Sequence, residues 1–325
     1  MTKPLISVCI PVYNGEKYLK ASLEAVFSQT FSNYEVIICD DGSSDGSVSI
    51  CEAYTKTKNN IKFIKNDRNL GLVGNWNKCV EQANGTWIKF LFQDDLMNAN
   101  CLEEMAKHTD AEVELIVCKR NFLLEDPTED EKDYYNRRVK TLENTGYFTG
   151  NDFSAEVISK IAADHPSLNF IGEPSLTMFR KISLLKVGGF DAELKQICDL
   201  EFLMRIASVF GLRYIPKQLC AFRIHGNSTT TKNVSGNNYY LKNIEALLYA
   251  LKLLTKPEFN NFRSYVRGSG LSKLKLFTQY RAYKAFKAVA TPEDKCVFDD
   301  LAQKFKPFMY KWYQIPVLKL YMAIK

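Results

Sequence analysis

The sequence predicts an α/β fold in which a mostly parallel sheet is flanked by helices. In the first half of the chain, short apolar runs rich in β-branched residues alternate with segments of helical periodicity. This alternation is typical of parallel strands joined by crossover helices. The chain has 325 residues, 46% of them hydrophobic, so it is long enough to bury a full core.

The predicted elements follow one another closely as far as residue 93. The strand-like runs are LISVCIPV, EVIICD, IKFIKN and TWIKFLFQ, and the helix-like segments between them are YLKASLEAVFSQ, GSVSICEAYTK and NWNKCVEQA. From about residue 110 to 170 the chain is more polar, and LLEDPTEDEKDYYNRR is interpreted as a solvated excursion without periodicity. Order is expected to resume with EPSLTMFRK, KVGGFD, CDLEFLMRIASVFG and LRYIPKQLCAFRIHGNSTT.

The C-terminal part of the chain is basic and has helical periodicity. From Lys256 to the end it contains 14 Lys and Arg against 5 Asp and Glu, whereas the residues before it contain 29 against 32. We therefore expect one domain over residues 1–235, with halves at 1–105 and 106–235, and a helical basic region over 236–325. Basic segments with aromatic residues either lie in a membrane interface or pack on the rest of the protein. No nucleic-acid-binding module is recognised, so nucleic acid is not an expected partner.

Cysteine usage and the start of the chain argue against an exported, disulfide-stabilised protein. The nine cysteines are spread singly, without a CxxC pair or a His cluster, and are expected to be small core residues in a reducing compartment. The first apolar stretch is short and is interrupted by Pro11 and Asn14, which does not fit a signal peptide. No window approaches the roughly 20 apolar residues that span a bilayer. A cytoplasmic location is expected.

Polar residues cluster where three of the predicted strands end. These segments are PVYNG at 11–15, DDGSSDG at 40–46 and QDD at 93–95. In open α/β sheets, ligands bind outside the carboxyl ends of the strands. Five carboxylates could therefore gather around one crevice, namely Asp40, Asp41, Asp45, Asp94 and Asp95. Their mutual repulsion would be costly unless a cation or a donor-rich ligand is bound.

Each of these acidic groups also has a structural interpretation. Mg²⁺ and Mn²⁺ are commonly held by one or two carboxylates together with substrate phosphates and water, and Asp94 with Asp95 would satisfy that demand. Alternatively, Asp94 caps the following helix and Asp95 faces solvent. Asp41 either accepts hydrogen bonds from a nucleobase or belongs to a loop in which residues 43–45 cap the next helix.

The segment QICDLEFLMRIA is predicted to be a helix that begins near Asp199. Its buried stripe follows helical spacing and consists of Leu200, Leu203, Met204 and Ala207. From position alone, Asp199 is interpreted as an N-cap. Glu201 and Arg205 are spaced i, i+4 and are interpreted as a surface ion pair.

Two long segments together resemble a known enzyme family. ISVCIPVYNGEKYLKASLEAVFSQTFSNYEVIICDDGSSDGS, followed by NLGLVGNWNKCVEQANGTWIKFLFQDD, resembles the nucleotide-sugar-binding half of the inverting family 2 glycosyltransferases. The resemblance covers residues 5–105 and is taken up again from about 172 to 230. It implies the GT-A fold, a Rossmann-like and mostly parallel sheet flanked by helices. It also implies metal-dependent transfer of a sugar from a UDP- or dTDP-sugar to a glycan or lipid-linked glycan acceptor in cell-surface polysaccharide biosynthesis.

The resemblance implies roles for residues around the donor. The nucleoside and the diphosphate would be bound by Pro11, Tyr13, Asn14, Asp41, Arg68, Asn69 and Gly71. Among these, Tyr13 would stack near the base and Asp41 would recognise uracil or thymine. The segment from residue 68 to 71 would close over the base and approach the diphosphate.

The same resemblance implies a divalent metal, Mn²⁺ or Mg²⁺. Asp94 and Asp95 take the place of the family's DxD element, in which one carboxylate meets the ribose and the other binds the metal. Which of the two binds the metal stays open, because Phe92 stands where the family usually has a further aspartate. In FRIHGNSTT, Arg223 and His225 would form a flap that reaches the diphosphate or the metal.

Asp199 matches the general base of the family's second signature, in which Cys198 replaces the usual first acid. It would take the proton of an acceptor hydroxyl during a single displacement with inversion, a role that contributes about 10²- to 10⁴-fold. The residues at positions 92 and 198 keep a rival open, a non-catalytic sugar-nucleotide-binding or scaffold protein. A nucleotidyltransferase would need a triphosphate loop, which PVYNGEKY resembles poorly. Since many such transferases act on lipid-linked sugars, peripheral contact with the inner face of the cell membrane is expected.

Overall fold

The computed structural model describes residues 3–109, 112–135, 139, 141–147, 150–166, 168–226, 228 and 238–309. The strands are β1 (Ile6–Val12), β2 (Tyr34–Asp40), β3 (Ile61–Lys65), β4 (Trp87–Phe90), β5 (Leu96–Met97), β6 (Leu115–Cys118), β7 (Phe122–Leu124), β8 (Asp152–Phe153), β9 (Thr177–Arg180), β10 (Leu212–Ile215) and β11 (Cys220–Ile224). The α-helices are α1 (Glu16–Phe27), α2 (Ser47–Thr55), α3 (Gly71–Gln82), α4 (Cys101–Ala106), α5 (Glu129–Asp133), α6 (Ala155–Asp164), α7 (Leu184–Val187), α8 (Cys198–Phe210), α9 (Glu245–Thr255), α10 (Asn260–Tyr265), α11 (Ser269–Lys287), α12 (Pro292–Lys304) and α13 (Lys306–Met309).

The described residues form an eight-stranded central sheet in the order β3-β2-β1-β4-β9-β6-β10-β8. The four neighbouring strands β3, β2, β1 and β4 are parallel, as predicted from the alternating strands and helices. β9 is antiparallel to both β4 and β6, β10 is parallel to β6, and β8 is an antiparallel edge strand. The predicted α/β class, with a mostly parallel sheet flanked by helices, is therefore confirmed.

Helices cover both faces of the sheet, which is why every residue of β1 is buried. One face packs against the apolar side of α1, which buries Leu19, Leu23 and Val26. The other face packs against α3, which buries Val73, Trp76, Cys79 and Val80. In both helices the buried residues recur at helical spacing, so the pattern in the sequence correctly predicts which side faces the core.

A second sheet of three strands lies next to the end of β4. Its order is β5-β11-β7, with β11 antiparallel to β5 and parallel to β7. Since β5 begins directly after the QDD segment, this pairing brings the end of β11 next to the two aspartates.

Ordered elements are found within the polar stretch from about 110 to 170, contrary to the expectation that order resumes only with EPSLTMFRK. β6, β8 and α6 lie within this stretch, and β6 is fully buried between β9 and β10. A four-residue strand shows no detectable period, and its burial depends on strands that lie far away in the sequence. The acidic part is solvated as predicted, because α5 has no buried residue.

The C-terminal region is helical as predicted, as far as residue 309. Apolar side chains of α9 to α12, including Leu247, Phe262, Leu274 and Phe298, share one core cluster with Phe202 of α8. The predicted domain boundary at 235/236 lies outside the described residues. Residues 310–325, at the end of the basic region, also lie outside them. Within the described ranges, none of the helices is long and apolar enough to cross a membrane.

All nine cysteines are free, and eight of them are buried as predicted. The exception is Cys296, which lies exposed on α12. Within the described residues, no group of three or more His, Cys, Asp or Glu side chains is arranged so that it could hold a metal by itself.

Candidate active site

The register of the central sheet brings the predicted strand ends together. Val12 at the end of β1 pairs with Asp40 at the end of β2, so both loops leave the same edge. Gln93, which follows β4, clamps the backbone of Tyr13: its Oε1 accepts from the Tyr13 N–H at 2.8 Å and its Nε2 donates to the Tyr13 carbonyl at 3.1 Å. A Cβ at Gly15 would overlap the Gln93 amide, which explains the glycine. The Tyr13 side chain is 51% exposed and free to contact a ligand.

Asn14 joins the first loop to the second. Its backbone is left-handed (φ 49°), a conformation that asparagine tolerates better than most residues. Its Oδ1 accepts from the Ser44 N–H at 2.8 Å, and its own N–H donates to Ser43 Oγ at 2.9 Å. Asn14 therefore shapes the predicted nucleoside pocket, and Pro11 lies buried within β1 beside it.

Asp41 organises the segment that was predicted to close over a base. It is buried, and its Oδ1 accepts from the Leu70 N–H at 2.7 Å and from Asn66 Nδ2 at 2.9 Å. Asn69 donates from Nδ2 to the Asp41 carbonyl at 2.9 Å. Asp41 thus lies beside the predicted base-closing segment. Both of these side-chain hydrogen bonds go to Oδ1, so Oδ2 is the Asp41 oxygen that can accept from a ligand.

The two ends of that segment differ in structure. Gly71, the first residue of α3, has φ +75°, and this backbone conformation favours glycine. Arg68 is exposed at the protein surface.

Asp40 and Asp45 do not join a carboxylate cluster, contrary to the expectation of five acidic groups around one crevice. Asp40 Oδ1 accepts from the N–H groups of Gly42 and Ser43 at 3.1 and 3.0 Å, respectively. Asp45 accepts from the N–H groups that begin the nearby helices α1 and α2, at 3.0 Å each. Both side chains therefore stabilise loops.

The aspartate pair at 94 and 95 is asymmetric. Asp95 is fully buried: its Oδ1 accepts from the Arg223 N–H at 2.9 Å and its Oδ2 accepts from Ser175 Oγ. Asp94 is partly exposed, with its Oδ2 3.1 Å from His225 Nε2. β5 follows directly, so Asp94 caps no helix and Asp95 does not face solvent; both parts of the structural alternative are wrong.

Burial raises the pKa of the Asp95 carboxyl group well above its ordinary value, and the negative charge of Asp94 raises it further. The donors Ser175 and Arg223 act in the opposite direction. Since both Asp95 oxygens already accept hydrogen bonds from the protein, Asp94 is the member of the pair that can present a free oxygen to a ligand.

Asp94 and His225 have the spacing expected of two neighbouring metal ligands. In an octahedron with bonds of about 2.1 Å, adjacent ligand atoms lie about 3.0 Å apart. Asp94 Oδ2 and His225 Nε2 are hydrogen-bonded at 3.1 Å, and this separation would also fit two neighbouring ligands of one ion. Two protein ligands would leave positions for phosphate oxygens and water, as Mg²⁺ and Mn²⁺ sites commonly do.

Arg223 is held by residues that the sequence did not single out. Its Nε donates to the Asp94 carbonyl at 2.7 Å and its NH1 pairs with Glu125 Oε1 at 2.7 Å. Its guanidinium carbon lies 4.7 Å from the centroid of the Tyr18 ring, and that ring is also 4.7 Å from the His225 ring. Glu125 and Tyr18 are more than 100 residues apart in the chain, so no local pattern could have indicated their contact.

Asp199 lies in the first turn of α8 and is half-buried. The N-cap is Ile197, so the interpretation of Asp199 as an N-cap is wrong. Its Oδ1 accepts from the Leu200 N–H at 2.8 Å. Desolvation of the carboxyl group raises the pKa of Asp199 to about 7, and the negative charge of Glu173 contributes to that shift.

Glu173 connects the two halves of the site. Its negative charge contributes to the raised pKa of both Asp95 and Asp199, so Glu173 acts electrostatically on both carboxyl groups. Arg120, almost fully buried, pairs through Nε with Glu173 Oε2 at 3.1 Å. Neither residue of this pair belongs to the predicted site.

Glu201 and Arg205 form a buried ion pair, which corrects the expectation of a surface pair. The Glu201 side chain has no exposure, and its carboxylate accepts from Arg205 Nε at 3.0 Å and NH2 at 2.7 Å. The guanidinium also donates to the carbonyls of Val187 and Gly189. The pair therefore ties α8 to the KVGGFD segment.

A cleft of about 790 Å³ lies at the opposite end of the sheet, near the N-terminal ends of β2 and β3. Its lining includes Lys3, Tyr34, Lys58 and Ile61. It contains none of the predicted site residues, so the crevice at the carboxyl ends is the better candidate.

Residues 7–164 match the sequence model of the family described as Glycosyl transferase family 2. A similar protein is the uncharacterized MT1568 of Mycobacterium tuberculosis, which is 29% identical over 71% of this chain and 70% of its own length. The putative glycosyltransferase EpsH of Bacillus subtilis is 38% identical over 36% of this chain and 34% of its own. The glycosyltransferase GlyG of Streptococcus pneumoniae is 30% identical over 48% of this chain and 47% of its own length.

Two solved structures have a similar fold. One is Staphylococcus aureus TarS, residues 1–349, in complex with UDP-GlcNAc: its TM-score is 0.61 at 18% identity, over 95% of this chain and 82% of that one. The other is the mannosyltransferase PcManGT of Pyrobaculum calidifontis in complex with GDP-Man and Mn²⁺. Its TM-score is 0.54 at 16% identity, over 100% of this chain and 87% of that one. The GT-A prediction is thereby confirmed. Family match, named relatives and fold agree: residues 7–164 form a domain of glycosyl transferase family 2, and the chain is a glycosyltransferase.

Proposed function

We propose that this glycosyltransferase moves a sugar, with inversion and with the help of a divalent metal, from a UDP- or dTDP-sugar to a glycan or lipid-linked glycan in cell-surface polysaccharide biosynthesis. The observation that carries the proposal is the segment 173–175. Ser175 Oγ donates to Asp95, and Glu173, paired with Arg120, acts electrostatically on Asp199, so this segment links the aspartate pair to the candidate base. Donor and acceptor could therefore meet there.

The donor would lie along the carboxyl ends of β1, β2 and β4. In this proposal the exposed ring of Tyr13 stacks on the base, and the Oδ2 of Asp41 accepts from the N3–H of uracil or thymine. Arg68, at the surface, closes over the nucleotide. The complexes of TarS with UDP-GlcNAc and of PcManGT with GDP-Man support a nucleotide-sugar donor in this fold.

The metal would be held by Asp94 and His225, with Asp95 as the buried support of the loop. When bound, such an ion neutralises charge on the leaving diphosphate as a Lewis acid. Arg223, fixed between Glu125 and the Asp94 carbonyl, supplies a further positive charge at the same place. PcManGT was solved with Mn²⁺, which supports a metal in a protein of this fold.

Asp199 would act as the general base. A base that operates near neutral pH needs a pKa near 7, and desolvation raises the pKa of Asp199 to about 7. Its carboxylate would take the proton of the acceptor hydroxyl as the hydroxyl oxygen attacks the anomeric carbon. The bond from that carbon to the diphosphate oxygen breaks on the opposite face, which inverts the configuration.

A titration of UDP, with dTDP and GDP as comparators, tests the donor site in the presence of Mn²⁺ and again with a chelator. Calorimetry should show metal-dependent binding of a pyrimidine nucleotide. Preference for GDP would contradict the proposed role of Asp41. Binding without sugar transfer or donor hydrolysis would favour a non-catalytic sugar-nucleotide-binding protein.

The metal site yields a specific prediction for Asp94→Asn. Even outer-shell changes alter metal affinity by about 10- to 100-fold, so loss of a ligand should weaken the Mn²⁺-dependent part of UDP binding at least tenfold. Asp130→Asn, at an exposed position of α5, is the matched control and should change nothing. If both Asp94→Asn and His225→Ala retain the full effect of Mn²⁺, these residues do not bind the metal.

Contact with a membrane is proposed for the basic C-terminal helices. Deleting residues from 256 onward is a poor test, because α10, α11 and α12 contribute to the core. Three exposed lysines of α11, namely Lys275, Lys284 and Lys287, can be changed without altering that core. Since a basic residue near an anionic surface contributes about 1 kcal/mol, Lys→Glu at all three should weaken binding to phosphatidylserine vesicles at least tenfold.

The control for this prediction carries the same charge change elsewhere. Lys20, Lys56 and Lys62 are exposed lysines of the first half of the chain, and Lys→Glu at these positions should leave vesicle sedimentation unchanged. Equal losses in the two triple variants would point to net charge alone. Unchanged sedimentation of the α11 variant would mean that this helix does not face a membrane.

A further inference from the structure

Glu245, the first residue of α9, binds the backbone that leads into α8. Its side chain is buried, and its carboxylate accepts from the N–H groups of Lys195 and Gln196, the latter at 3.0 Å to Oε2. Two successive N–H groups thus converge on one carboxylate from a helix outside residues 7–164, the part of the chain that matches the family.

These contacts hold the backbone just before α8. The N-cap of α8, Ile197, has no side chain that can accept a hydrogen bond, so an ordinary side-chain cap does not fix the start of this helix. A negative charge is also favourable near a helix N-terminus. Glu245 therefore fixes from another element the two residues that precede the N-cap, and it adds a negative charge near the start of α8.

The same loop is fixed a few residues earlier by a second side chain of α9. Lys252 is fully buried, and its Nζ lies 2.6 Å from Asp191 Oδ2 and 2.5 Å from Glu193 Oε2. The hydroxyl of Tyr240, in the turn before α9, donates to the Glu193 carbonyl. Residues 191–196 are thus held along their length by the C-terminal region.

The position of Asp199 depends on this loop. Its carboxylate is restrained by the N–H of the next residue, Leu200, which belongs to the same helical turn. Any displacement of residues 195–197 is therefore passed directly to Asp199. A shift of 1 Å in a reacting group can reduce a rate about 10²-fold.

We propose that Glu245 is a positioning residue for Asp199, so that the C-terminal helical region is a required part of the catalytic machinery. The inference rests on the proposed role of Asp199 as general base. Glu245 touches neither donor nor acceptor in this scheme; it acts by holding the backbone from which the base projects.

The first test needs no substrate. In full-length protein, hydrogen exchange of the amides of Lys195 and Gln196 is compared between wild type, Glu245→Ala and Glu245→Gln. Exchange should accelerate at least tenfold in the alanine variant and less in the glutamine variant, whose amide oxygen still accepts hydrogen bonds. Glu293→Gln, an exposed charge removal on α12, should match wild type. Unchanged exchange in the alanine variant would overturn the proposal.

A second test follows Asp199 itself. A ¹³C NMR titration of its carboxyl group, assigned by its loss in Asp199→Asn, should give a lower pKa in Glu245→Ala, because a displaced loop admits water to a group whose pKa is raised by desolvation. The value in Glu293→Gln should equal that of wild type. An identical Asp199 titration in wild type and Glu245→Ala would show that Glu245 does not set the environment of the base.

Activity distinguishes positioning from mere stability. UDP release from a UDP-sugar should fall about 10- to 100-fold in kcat for Glu245→Ala, with the donor KM within twofold of wild type. In an Asp199→Asn background the same change should have no further effect, because the base is already absent. An additive loss there, or full activity of Glu245→Ala beside an inactive Asp199→Asn, would refute positioning. If instead Asp199→Asn is fully active, the proposed role of Asp199 as general base fails. The hydrogen-exchange and NMR results would then still show whether Glu245 holds the loop before α8 and sets the environment of Asp199.

Discussion

Asp199→Asn is expected to lower the rate of sugar transfer by about 10²- to 10⁴-fold, the usual contribution of a general base. The amide has nearly the same shape and keeps an oxygen that can accept from the Leu200 N–H, so α8 should not move. Donor binding should stay within about twofold of wild type, because in the proposed mechanism Asp199 contacts the acceptor hydroxyl and not the nucleotide. Release of UDP and calorimetric UDP binding, measured on the same preparation, check both statements.

The pH dependence of kcat/KM tests the same role of Asp199 independently of the rate loss. Asp199 acts in its ionised form, and its pKa is raised to about 7. Below pH 7 the group is increasingly protonated, so kcat/KM should fall about tenfold for each pH unit and should level off above pH 7. Asp199→Asn should lose this acidic limb, whereas Asp130→Asn should keep it. A fully active Asp199→Asn variant with an unchanged acidic limb would remove Asp199 from the mechanism.

The sequence indicates the donor half well because its signals are local. Continuous apolar runs predict β1 and β2, and polar residues directly after them predict which side chains reach the edge of the sheet. The register of Val12 with Asp40 then brings the loops together without further information. For this reason the local pattern alone places Tyr13, Asn14 and Asp41 at this edge of the sheet, whereas their proposed roles toward a nucleotide come from the family resemblance.

The rest of the site depends on contacts between distant segments, which leave no local pattern. The hydrogen bond from Ser175 to Asp95 and the ion pair of Glu125 with Arg223 join residues about 80 and 98 positions apart. The burial of Asp95 follows from those partners, so the sequence left its exposure and its role undecided. Asp199 was found only because its segment resembles a family signature; helical spacing alone suggested a cap.

Glu201 illustrates how the same spacing can have opposite energetic meanings. Its i, i+4 relation to Arg205 is identical to that of surface pairs, which contribute about 0.3 to 0.5 kcal/mol. Here the pair is buried, and the guanidinium donates to carbonyls of the KVGGFD segment. A charge in that environment is costly to leave without its partner. Burial, which spacing does not encode, decides the magnitude.

Glu201→Ala is therefore expected to lower the free energy of unfolding by about 3 to 5 kcal/mol, since it leaves the Arg205 guanidinium buried without its carboxylate. Glu156→Ala is the matched control: Glu156 also pairs at i, i+4, with Lys160 at 2.6 Å, but both side chains are about half exposed. The control should lose no more than about 1 kcal/mol. Urea unfolding followed by circular dichroism measures both variants.

The double change Glu201→Met with Arg205→Met separates charge from packing. Replacing both members of a buried pair by apolar side chains is often neutral, because neither charge remains to be desolvated. The double variant should therefore be more stable than Glu201→Ala, although the carbonyls of Val187 and Gly189 lose their donor. A double variant less stable than the single one would mean that the guanidinium stabilises the KVGGFD segment more than its burial costs. Equal stability of Glu201→Ala and Glu156→Ala would show that water reaches the pair.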